Sequence, residues 1–130
     1  MKSLPTLVLL IAVCLTPAAD DSSRHKEWMD QAQELKDDLK DALDAKTWQK
    51  ATTSADELAK TAEREEAYWK RAKQADAVKL AQENLAASKQ ISAAAKSGNA
   101  GQALAAYSKL EATCRGCHDL HPEKRLAPRL

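Results

Sequence analysis

The chain has 130 residues, enough for one domain, and its 20 basic and 19 acidic residues leave no excess of charge that would draw it to nucleic acid. Three Cys are too few for a framework of several disulfides. Ala fills 26 positions, and neither Gly nor Pro occurs between Ala18 and Ser97, a composition that points to helix.

The N-terminus reads as an address. Met1 and Lys2 supply a positive start, Leu7 to Leu15 an almost unbroken apolar run, and Thr16-Pro17-Ala18-Ala19 a small-residue exit before Asp20. Residues 1–19 are therefore expected to be a cleaved secretory signal, with a single domain over 20–130 and a periplasmic or otherwise exported location. The apolar run is roughly half the ~20 residues that a membrane-spanning helix needs, so no membrane insertion is expected after cleavage. Cys14 sits in a stretch resembling a lipoprotein cleavage box, except that Val13 stands where a small residue is usual. Cleavage removes Lys2 and Cys14, which balances the charge at 19 and 19 and leaves only Cys114 and Cys117.

From residue 20 onward, apolar residues recur at helical spacing. Trp28, Ala32, Leu35, Leu39, Ala42 and Leu43 mark a first helix, and Trp48, Ala51, Ala55, Leu58, Ala62 and Trp69 a second. Ala75, Val78, Ala81, Leu85, Ser88, Ile91 and Ala95 mark a third, ending before Gly98-Asn99, and Ala103, Leu104, Tyr107, Leu110 and Cys114 a fourth. No stretch alternates with the period of a strand. The fold class is all-α, and four helices with short connections are most economically an antiparallel four-helix bundle. The junctions at 44–47 and 68–74 lack Gly and Pro, which leaves one long helix across either as an alternative. With every stripe rich in Ala, the interior that protein atoms alone can fill is thin.

Cys114-Arg115-Gly116-Cys117-His118 is the C-x-x-C-H pattern of covalent haem c attachment. On a helix, residues i and i+3 share a side, so two thiols can reach the vinyl groups of adjacent pyrroles. His118, four residues after Cys114, can then place an imidazole nitrogen on the iron as proximal ligand. Gly116 is expected to clear space for the porphyrin edge. A redox dithiol normally opens a helix after a strand, and a zinc site needs a second ligand pair that His25 and His121 do not supply. Pro122 should end the last helix near His121, which is expected at the surface, as are Lys124 and Arg125 unless they meet a haem propionate.

A C-x-x-C-H near the C-terminus, on the last helix of a four-helix bundle, resembles the class II c-type cytochromes, a group that includes the cytochromes c prime and their low-spin, Met-ligated relatives. The resemblance implies one covalent haem on the last helix and, in the Met-ligated relatives, a sixth ligand from a Met near the start of the first helix. Met29, in His25-Lys26-Glu27-Trp28-Met29, matches that position and is the only Met remaining after export. On a helical wheel it falls about 70° from the centre of the first stripe, at the border of the buried face. His25, one turn earlier, is a substitute that would give bis-His coordination.

The expected function is one-electron transfer through a His118/Met29-ligated haem, with redox proteins as partners, no enzymatic activity, and a homodimer left open. The alternative is a five-coordinate module, like cytochrome c prime, that binds nitric oxide or carbon monoxide. A peroxidase would need a distal acid/base pair, for which only His25 is a candidate.

Overall fold

The computed structural model describes residues 21–124, and among them the chain is all-α. The expected secretory signal over 1–19, with Cys14, and Arg125 lie outside the described residues. Helix α1 covers Asp21–Asp44, α2 Trp48–Arg71, α3 Ala75–Lys96 and α4 Ala100–Leu120, followed by a single 3-10 turn over Pro122–Lys124. Each helix packs on the next across a three-residue turn, which makes an antiparallel four-helix bundle. The alternative of one long helix across either weak junction is thereby corrected.

All three turns close the same way, although only one contains Gly. In the first, Lys46 takes the left-handed conformation at φ 55°, its N–H donates to Leu43 O at 3.2 Å, and Thr47 N–H donates to Ala42 O at 2.9 Å. Lys73 repeats this at φ 57°, with its N–H on Lys70 O at 3.1 Å and Gln74 N–H on Trp69 O at 3.0 Å. Gly98 repeats it again at φ 67°, and Asn99 then caps α4 by accepting from Gln102 N–H at 3.1 Å. A side chain at Gly98 would meet the Trp48 indole, whose Nε1 lies 3.6 Å from the position of a Cβ.

The buried apolar cluster occupies one half of the bundle. It joins Leu39 and Leu43 from the end of α1, Leu58 from α2, Ile91 from the second half of α3, and Tyr107 and Leu110 from α4, with Ala filling the gaps between. Leu39, Ile91 and Leu110 are fully buried, and each such side chain contributes about 1.5–3 kcal/mol. Tyr107 also donates its hydroxyl to Lys36 O, at 3.3 Å. Leu104, expected in the α4 stripe, is exposed, because Ala103, Ala106, Tyr107 and Leu110 already define the buried face and Leu104 falls one position off it.

The other half is built differently. α1 and α4 barely touch along their lengths, and the space between the starts of α1 and α3 and the ends of α2 and α4 is a cavity of about 300 Å³.

Candidate functional site

Cys114, Cys117 and His118 lie on the last two turns of α4, and all three line this cavity. Met29 lines it from α1. The four candidate site residues, separated by as much as 89 positions, thus share one chamber, with walls supplied largely by Ala32, Leu58, Ala62, Trp69, Ala77 and Leu80.

Both cysteines are half-buried and neither is in a disulfide. Burial pushes the Cys114 thiol up, and burial followed by the charge of Glu65 pushes Cys117 up to about 11. Redox dithiols depend on the opposite shift, toward thiolate at neutral pH, so these surroundings disfavour that chemistry. Asn84 of α3 braces the first thiol: its amide donates to Thr113 Oγ1 at 2.7 Å and to Cys114 Sγ at 3.6 Å. No group of three or more His, Cys, Asp or Glu side chains among the described residues is arranged to hold a metal ion.

Several expected roles change. At Gly116 a Leu80 methyl lies 3.4 Å from where a Cβ would be, so the missing side chain admits α3 against α4. His25, the alternative axial ligand, is not on the cavity wall. It is buried, its Nε2 sits 2.8 Å from Glu65 Oε2, and its ring leans on Tyr68 at 4.5 Å between centroids.

His121, expected at the surface, is 8% exposed. Pro122 turns the chain back after α4, which folds His121 onto Trp69 and brings its Nε2 to 3.2 Å from Asp76 Oδ2. Lys124, expected as a tail charge, is also drawn in: it donates to Tyr68 Oη at 3.1 Å and sits 5.4 Å above that ring.

No protein-family model, curated protein or solved structure matches this chain. What can be said of its function comes from these residues and their placement.

Two wall residues were not anticipated. Glu65 follows Ala62 by three positions and precedes Trp69 by four, so it occupies a buried register of α2, and an acid at a core position was the signal available. Asn84 stands three positions after Ala81 and four before Ser88, a second polar residue on the face of α3 that carries Ala81, Ser88 and Ile91.

Proposed function

We propose that this chain is an exported monohaem c-type cytochrome of the class II kind, which transfers single electrons. The haem would be attached through thioether bonds at Cys114 and Cys117, with His118 and Met29 as the side chains that would hold its iron. The observation that carries the reading is the meeting of Met29 from α1 with Cys114, Cys117 and His118 from α4 on the wall of one cavity.

The residues fit such a group. Two thiols one helical turn apart offer a double covalent attachment, and His118 follows as a nitrogen ligand on the same end of α4. Lys36 and Arg115 also reach the cavity wall and are suited to the two propionates. The gap between α1 and α4, in a bundle otherwise closely packed, is where a flat apolar body would replace missing protein contacts.

When bound, the haem iron supplies the centre that takes up and releases one electron. Cys114 and Cys117 would fix the ring in one orientation, and His118 would supply a nitrogen ligand to the iron. Met29 would supply a second ligand, leaving no position for substrate or water, and its thioether would favour the reduced form. Apolar side chains in the wall, among them Leu58, Trp69 and Leu80, would limit the solvent rearrangement that each electron transfer requires.

The test is the visible spectrum of protein made in a host with the cytochrome c maturation system. Low-spin spectra in both oxidation states, with a sulfur-to-iron charge-transfer band when oxidised, are expected. Colourless protein at the bare polypeptide mass would reject the haem. High-spin spectra with rapid carbon monoxide binding would instead favour the five-coordinate, gas-binding alternative.

A further inference from the structure

Glu65 places a carboxylate in the wall of the cavity, and it is only 8% exposed. Both of its donors converge on one oxygen: His25 Nε2 lies 2.8 Å from Oε2, and the Trp69 indole N–H donates to the same Oε2 at 3.2 Å. Oε1 is shielded from solvent and has no hydrogen-bond partner. Trp69 shares the cavity wall with Glu65, whereas His25 does not. A buried carboxylate with one oxygen uncompensated keeps its negative potential, and low-dielectric surroundings strengthen that potential over the neighbouring space.

We propose that Glu65 is a positioning residue for the redox centre: its buried carboxylate favours the oxidised iron, which carries one more positive charge than the reduced form, and so lowers the reduction potential. The direction does not depend on the state of His25. A neutral imidazole leaves the carboxylate's full charge beside the cavity, and a protonated one makes a dipole whose negative end is the wall residue. The other charged residues on the wall are less sheltered: Arg115 is exposed, while Lys36 and Glu111 are half-buried and of opposite sign. Water and salt screen such groups far more than they screen Glu65.

This inference rests on the haem reading, and its test separates the two. Wild type and Glu65→Gln, both carrying covalent haem, are poised at the wild-type midpoint with redox mediators, and the ferrous-to-ferric ratio is read from the spectrum. The variant is expected to show a ratio at least threefold higher, a rise of about 28 mV at 59 mV per tenfold for a one-electron couple. Glu65→Asp, which keeps the charge, is expected to stay within threefold of wild type. A Glu65→Gln ratio that rises less than threefold, or a Glu65→Asp ratio that rises as far as that of Glu65→Gln, overturns the role of Glu65 and leaves the haem reading standing. Protein without covalent haem overturns the haem reading itself. Should Glu65→Gln not fold, His25→Gln retains both the carboxylate and a donor to it; its ratio must hold steady or move toward ferric, and a move toward ferrous overturns the proposal.

Discussion

The imidazole of His121 lies against the indole of Trp69, ring centroids 4.7 Å apart and planes tilted by 35°. Trp69 is a wall of the cavity and His121 belongs to the turn that ends α4, so this contact ties the chain's last described segment to the site. His121→Ala removes both the ring contact and one of the partners of Asp76, and is expected to destabilise the fold by about 1–2 kcal/mol. A urea titration followed by far-ultraviolet dichroism reads this directly.

Asp76 gives the same contact a pH signature. The backbone N–H of Ala77 and then the His121 ring hold its carboxyl below the ordinary value of 3.8. A lowered folded-state value means a contribution present above 3.8 and lost as the pH falls through the lower, folded value. Asp76→Asn is therefore expected to flatten the loss of stability below pH 4, seen as a smaller change in urea midpoint between pH 5 and pH 3.

Lys46 and Lys73 bear the left-handed conformation that Gly98 adopts without steric cost. Lys73→Gly should stabilise the bundle by up to about 1 kcal/mol, and so should Lys46→Gly. The two turns lie at opposite ends of α2, so the double variant should show the sum of the two shifts in urea midpoint. Loss of stability in either would mean that the lysine side chain supplies a contact larger than the strain.

Met29 separates attachment from coordination. If the haem reading is right, Met29→Ala keeps its covalent pigment, because Cys114 and Cys117 are untouched, but loses the sulfur-to-iron charge-transfer band and binds carbon monoxide at least tenfold faster when reduced. Stopped-flow mixing with carbon monoxide measures the rate. An unchanged spectrum would remove Met29 from the iron.

Tyr107 provides an alkaline test of the packed half. Burial, with the charge of Glu111 next, pushes its phenol up to about 12. A raised folded-state value means stability that is present below the ordinary value of 10 and lost as the pH rises through about 12. Tyr107→Phe loses the hydroxyl's bond to Lys36 O, costing about 1 kcal/mol at neutral pH, and should lose less stability than wild type between pH 10 and 12. Thermal melts across that range decide it.

The four helices were legible because their apolar stripes recur at helical spacing and no Pro occurs within them. Cys114, Cys117, His118 and Met29 stand out in the sequence as candidates, from a motif and from the one Met beyond the expected signal, though their meeting at one cavity is a property of the fold. The turns at Lys46 and Lys73 were not, because nothing about Lys announces a left-handed backbone; packing of the flanking helices outweighs a local penalty of about 1–2 kcal/mol. His121 was misplaced for a related reason. Its burial depends on where the chain goes after Pro122, and that path is set by the distant Trp69 and Asp76. Glu65 was passed over because its two donors come from different places: Trp69 one turn away, and His25 forty positions earlier.

The split between a filled half and a hollow half gives the molecule two rates of opening. Amide protons of Leu39, Ile91 and Leu110 should exchange only when the whole bundle comes apart, whereas those near Met29 and Cys117 should exchange through a smaller, cheaper breathing of the cavity end. If the haem reading is right, attachment at Cys114 and Cys117 would take place on a frame already secured at one end and looser at the other, and occupation of the chamber would be the event that draws the two halves to a common stability.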